Sequence, residues 1–131
     1  MKGYQVNVEQ QTLENKNFRK VLYTGKHLQL VLMSLAEGED IGLETHHWND
    51  QFFRFESGSG KCIIDDTEYA VGEGDAVVIP AGATHNIINT GPGEFKMYTI
   101  YGPPNHQDGT IRTSKESAQK KDEVFDGVTS E

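Results

Sequence analysis

Glycine cuts this 131-residue chain into short apolar runs, and within those runs the apolar residues alternate with period two. Alternation is the mark of a strand, whose successive side chains point to opposite faces. Positions 27–35 show it best. Leu28, Leu30 and Leu32 fall on one face, and Val31, Met33 and Leu35 on the other. Both faces are apolar, so this strand is expected to be covered on both sides. Further strands are expected over 18–24, 51–56, 61–65, 68–71, 76–79, 85–89 and 95–101. Turn residues separate them: Ser57-Gly58-Ser59-Gly60, Asp65-Asp66 and Gly91-Pro92-Gly93. Many short strands with almost no helical periodicity point to an all-β sandwich or closed barrel.

The two ends read differently. Positions 102–109 are Gly, Pro, Asn and Asp in the main and read as loop. Thr113-Ser114-Lys115-Glu116 has the form of a capping box, with Thr113 as N-cap, and predicts a short surface helix over about 114–123. The first 17 residues are polar but alternate weakly through Tyr4, Val6 and Val8, which suits an added edge strand. An open edge invites pairing with a second copy, so a homodimer is expected. No internal repeat or long linker divides the chain. It is expected to be one domain over 1–131, with the barrel core at about 18–101 and a C-terminal loop and helix at 102–131.

Such a chain can bury a core without disulfides. Cys62 is the only cysteine and is expected to be a small apolar residue inside a strand. Acidic residues outnumber basic ones 20 to 12, for a formal net charge of −8. Lys120 and Lys121, the nearest approach to a basic cluster, sit beside Asp122 and Glu123. Nucleic acid and anionic membrane are therefore poor partners, because both need clustered Lys and Arg. The longest apolar run, Leu30 to Met33, falls far short of the roughly 20 residues of a membrane span. The N-terminus has no apolar signal core, and the expected location is the cytoplasm.

The segment from Gly74 to Asn89 carries the chemistry. It is a strand that enters a Pro-Gly turn and leaves as another strand opening on a histidine. Pro80 stops the first strand by removing a ladder donor. Gly82 supplies positive φ in the turn. His85 then shares a face with Ile87 and Asn89. This segment resembles the second motif of the cupins, G-x5-P-x-G-x2-H-x3-N, and matches it at Gly74, Pro80, Gly82, His85 and Asn89. The first cupin motif, G-x5-H-x-H-x3,4-E-x6-G, is present in altered form. Gln51 to Gly58 keeps the last spacing with Gln for Glu, and His46 takes the second histidine position. The position two earlier, histidine in the motif, is Glu44. The resemblance thus implies a metal site of Glu44, His46, Gln51 and His85. Two imidazoles and a carboxylate are a donor set of open divalent-metal sites, and the amide oxygen adds a fourth donor. Glu44 and His46 would share a strand face, with His85 and Gln51 converging from facing strands. An alternative register takes His47 as the ligand and Thr45 as the first position. It loses the carboxylate, so His46 is preferred, and His47 then points outward.

The resemblance runs along the chain, through 18–27, 50–54 and 98–104, to small single-domain microbial cupins of the cupin-2, or mannose-6-phosphate isomerase-like, set. In that set Glu, His, Gln and His are similarly placed. It implies a double-stranded β-helix, or jelly-roll barrel, with one divalent transition metal (Zn, Mn, Fe, Ni or Co) and a small-molecule ligand at the barrel mouth. It is also consistent with a homodimer. Three functions follow as expectations: a metal-dependent enzyme of isomerase, lyase or oxygenase type acting on a small polar metabolite; a metal or small-ligand binding or sensor module without turnover; and a structural barrel with an empty site. No catalytic residue is assigned. Glu44 would be a ligand, Asp50 and Glu56 read as exposed, and no nucleotide or phosphate loop is present. His106 reads as a loop residue and His27 as structural. Tyr98, Tyr101, Phe53 and Phe55 read as barrel core or pocket wall, Trp48 as a residue of the rim, and Arg54 as a solvated charge.

Overall fold

Alternation and glycine turns produce two antiparallel sheets that face each other. The computed structural model describes residues 1–121 and 123–131. In chain order its elements are α1 (Val8–Glu14), β1 (Arg19–Thr24), β2 (Gln29–Leu35), β3 (Glu44–Thr45), β4 (Asp50–Ser57), β5 (Ser59–Ile64), β6 (Thr67–Gly72), β7 (Ala76–Ile79), β8 (Thr84–Asn89), β9 (Phe95–Gly102), β10 (Ile111–Arg112) and α2 (Lys115–Lys120). One sheet has the order β10-β1-β2-β9-β4-β7 and the other β3-β8-β5-β6. The architecture is a jelly roll. The eight strands expected between residues 18 and 101 are all present, with ends that agree within two residues.

The core lies between the sheets and is built from every second residue. Val31, Met33 and Leu35 of β2 face it, as do Phe53 and Phe55 of β4 and Phe95, Met97 and Tyr101 of β9. Cys62 of β5 and Ile87 of β8 close it from the smaller sheet. Phe53, Phe55 and Phe95 form a stacked run, with centroid separations of 6.1 and 5.0 Å. Full burial of each ring contributes about 2–3 kcal/mol. Phe95 fits because Gly60 opposite it has no side chain. A Cβ there would lie 2.1 Å from the Ile88 carbonyl oxygen and 2.7 Å from the Phe95 ring.

Two local expectations need correction. The N-terminal segment does not add an edge strand. Residues 8–14 form α1, capped by the Asn7 side chain, which accepts from the Gln10 N–H at 3.0 Å. The helix packs on the outer face of β2, β4 and β9. This cover explains why Leu32 is buried although it points away from the core. At the other end the cap of α2 is Ser114 rather than Thr113. Ser114 and Ser117 exchange side-chain-to-backbone hydrogen bonds at 3.1 and 3.3 Å. Glu116 instead pairs with Lys120 along the helix. The helix is also shorter than expected, and Asp122, within the expected range, lies outside the described residues. No described helix is long and apolar enough to cross a membrane.

Candidate metal centre

The short strand β3 lies against β8 so that Glu44 sits directly opposite His85 and Thr45 opposite Thr84. The two threonine hydroxyls lock this register with a 2.8 Å hydrogen bond. His46 follows at once, as the chain leaves β3. The Pro-Gly turn holds it in place: Gly82, at φ +92°, donates its N–H to the His46 carbonyl at 2.9 Å. The next residue back, Ala81, donates to the Asp50 carboxylate at 2.9 Å and ties the same turn to β4. The glycine and proline of the motif therefore position a histidine that lies far from them in sequence.

The result is a cluster in which Glu44, His46 and His85 each offer a donor atom, all within 4.8 Å of one another. His46 Nε2 lies 2.9 Å from Glu44 Oε2, and the two imidazole centroids are 5.2 Å apart. His85 does not converge from a facing strand, as expected; it comes from the strand beside Glu44 in the same sheet. Gln51 comes from the opposite sheet. It pairs in register with Tyr101, whose ring stands edge-on to His46 at 5.5 Å. His47 is exposed.

The chemistry of these side chains suits a metal ion. Burial, the largest cause, holds the His85 pKa below the ordinary histidine value. A neutral imidazole keeps a lone pair free for coordination. His85 Nδ1 lies 3.2 Å from the Ala83 carbonyl, so this nitrogen carries the proton and leaves Nε2 as the donor. Gln51 is 2% exposed. Its Nε2 donates to Thr99 Oγ1 at 3.0 Å, but its Oε1 has no partner among the described residues. A buried acceptor without a partner needs an explanation, and an ion supplies one. Two imidazoles, a carboxylate and an amide oxygen fit a divalent transition ion.

Beside the cluster opens a cavity of about 440 Å3, bordered by Glu44 and His46 and by Arg19, Asn105, His106 and Lys115. His106 was expected to be an ordinary loop residue. It does lie in a loop, but it is only 6% exposed. The buried Gln29 side chain clamps its backbone from both sides, accepting from the His106 N–H at 2.9 Å and donating to its carbonyl at 2.7 Å. Its Nε2 lies 3.3 Å from the Tyr101 hydroxyl. Burial, then the charges of Arg19 and His46, push its pKa down to about 3. Burial likewise raises the pKa of Tyr101. The sequence held one weak signal for His106, its position a few residues after a core strand. Trp48, expected at the rim, is exposed and does not border this cavity. Glu56, expected to be exposed, has a side chain only 7% exposed and paired with Arg54 at 3.0 Å.

Known proteins share this arrangement of strands. The cupin domain model matches residues 31–101. YrkC of Bacillus subtilis is 46% identical over 123 residues, which cover 89% of this chain and 66% of that protein. L612 of Acanthamoeba polyphaga mimivirus is 46% identical over 112 residues, covering 82% of this chain and 70% of that protein. The chain therefore spans about two thirds of the length of these two relatives. A crystal structure of BH2720 from Bacillus halodurans superposes with a TM-score of 0.90 at 42% identity, covering 92% of this chain and 96% of that one. With the domain model spanning more than half of its length, and with barrel, turn and histidines arranged as described, the chain belongs to the cupin family.

Proposed function

We propose that this cupin binds one divalent transition metal through Glu44, His46, His85 and Gln51 and acts on a small polar metabolite in the adjoining cavity. The observation that carries the reading is the convergence of three donor atoms within 4.8 Å; the buried, unpartnered amide oxygen of Gln51 on the facing sheet supports the fourth ligand. A bound ion of this kind polarises a ligand oxygen and raises its acidity. The chain's own residues do the rest. Glu44 offsets part of the ion's charge. Ala83 fixes the ring orientation of His85, and Tyr101 packs against the edge of His46. His106 borders the cavity, and the buried Tyr101 hydroxyl lies 3.3 Å from its Nε2.

One observation favours a second reading, a metal or small-ligand binding module without turnover. Apart from the proposed ligands, the buried titratable groups on this side are His106, at about 3, and Tyr101, raised above its ordinary value. Neither exchanges a proton readily near neutral pH.

Elemental analysis tests the shared part of both readings. Protein purified without chelator is expected to hold about one transition ion per chain, lost in His46→Ala and His85→Ala. Protein that stays metal-free after exposure to Mn, Fe, Co, Ni and Zn overturns the proposal. Turnover is then separated from binding by following the Co(II) spectrum and product formation while hydroxy- and keto-acids are added.

A further inference from the structure

The chain has three arginines. Arg54 pairs with Glu56 and Arg112 with Glu123. Arg19 has no carboxylate within ion-pair distance among the described residues, although acidic residues outnumber basic ones 20 to 12. The Nε of all three is buried without a well-formed hydrogen bond among the described residues, so it is the missing carboxylate that sets Arg19 apart. Arg19 borders the cavity beside the Glu44–His46–His85 cluster. Its guanidinium lies over the Phe18 ring, 5.5 Å from the centroid, which steadies the group but leaves its donors free. Its charge is felt inside the cavity wall, where it helps keep His106 neutral. The other cation of the cavity, Lys115, is already paired with Asp40.

An unpaired, half-buried guanidinium is an unfavourable arrangement unless something anionic completes it. We propose that the cavity receives a small organic carboxylate, held by the Arg19 guanidinium at one end and extending toward Glu44, His46 and His85 at the other. A single fork of N–H donors matches one carboxylate in two-pronged fashion. A phosphate ester, with more charge and a third acceptor oxygen, would call for a second free cation, and the cavity has none among the described residues. The Asn105 and Gln119 amides, which also border the cavity, supply neutral donors for further oxygens of the ligand.

This inference rests on the reading of the cavity as the ligand chamber, but the role of Arg19 does not need the metal, and the test separates the two. Glycolate and lactate, their neutral analogues glycolamide and lactamide, and inorganic phosphate are titrated into the 15N-labelled full chain, both metal-loaded and metal-stripped. Binding is read from amide NMR shifts. The acids are expected to bind at least about tenfold more tightly than the amides, the gain typical of a charge-assisted pair. Arg19→Gln is expected to abolish that preference, and Arg19→Lys to keep part of it. The wild-type comparison of acid with amide stands even if a variant folds poorly. Equal binding of acids and amides, a preference that survives in Arg19→Gln, tighter binding of phosphate than of the acids, or no acid binding at millimolar concentration would each overturn the inference. Arg19-dependent binding that persists in His46→Ala, in a chain that takes up no metal, would uphold the inference while the proposed metal function fails. Metal uptake with no dependence of ligand binding on Arg19 would do the reverse.

Discussion

Acid should destabilise this protein through His106, and by an amount the structure sets. Folded, the side chain stays neutral, its pKa pushed down to about 3 by burial first and then by the charges of Arg19 and His46. Unfolded, it titrates near its ordinary value of about 6.5. Between those values the unfolded chain takes up a proton that the folded chain refuses. The contribution to stability is therefore complete above about pH 6.5 and falls as the pH drops, by about 1.4 kcal/mol per pH unit. From about pH 7 to pH 5 the loss is about 2 kcal/mol. His106→Gln keeps an amide in reach of the Tyr101 hydroxyl but cannot titrate. Its constant effect on stability is the same at every pH. The lowered pKa values of His85, Asp40 and Glu94 act in both proteins and cancel in the difference. Urea unfolding of metal-stripped wild type and variant at several pH values is the assay. The stability advantage of the wild type over His106→Gln should shrink by about 2 kcal/mol between pH 7 and pH 5. An advantage of unchanged size would mean that His106 protonates freely in the folded chain, and the description of its buried setting would be wrong.

Three further outcomes are expected. Gly60→Ala should lose roughly 3 kcal/mol or more, because the new methyl meets backbone on one side and a packed ring on the other; a melting temperature equal to wild type would refute the packing described for Phe95. Gln51→Met should leave the metal-free protein within about 1 kcal/mol of wild type, since it removes an unpartnered acceptor along with one hydrogen bond to Thr99. The same variant should weaken metal binding by at least the roughly tenfold seen on losing even an outer partner, and unchanged affinity in a metal titration would exclude Gln51 as a ligand. The chain is expected to form a homodimer through open sheet edges such as β7, where Val78 is 66% exposed; light scattering that gives a single 14.6 kDa chain at micromolar concentration would rule this out.

The strands were legible because period-two alternation is imposed by the pleat itself, and the turns because Gly82 and its like are needed where φ is positive. Helix α1 was not legible. It spans only seven residues, and its one buried residue is Thr12, so it has no apolar stripe to detect. The sequence did hold its cap, Asn7, three residues before Gln10. Strand β3 is two residues long, below the reach of any periodicity, yet it carries Glu44. The spacing of the motif found Glu44, His46 and His85 without it. His106 escaped because its burial is tertiary: Gln29, 77 positions away, holds it in place.

A different kind of information separates structural from functional polar residues inside the barrel. In β4 the inward row reads Gln51, Phe53, Phe55; in β8 it reads His85, Ile87, Asn89. Each row breaks its apolar pattern at an end. Asn89 and Gln51 are both 2% exposed, and both occupy positions of the cupin motifs. Asn89 is fully engaged. Its Nδ2 donates to the carbonyls of Leu35, Ala36 and Gly93, and its Oδ1 accepts from the Gly91 N–H. It binds the loop between β8 and β9 to the end of β2, and nothing remains for a ligand. Gln51 is engaged only through its nitrogen, and its oxygen is left without a partner among the described residues. Folding alone would favour an apolar residue or a partner at such a position. Ion pairing separates the arginines: the Nε of all three lacks a well-formed hydrogen bond, but Arg54 and Arg112 have a carboxylate beside them and Arg19 has none among the described residues. Gln51 Oε1 and Arg19, the arginine without a carboxylate beside it among the described residues, both occur on the His46 side of the barrel, Gln51 through its neighbour Tyr101 and Arg19 along the shared cavity. An unpartnered acceptor and a guanidinium without a carboxylate thus lie where the motif histidines do, and they point to two complements of opposite charge: a cation for the amide oxygen and an anion for the guanidinium.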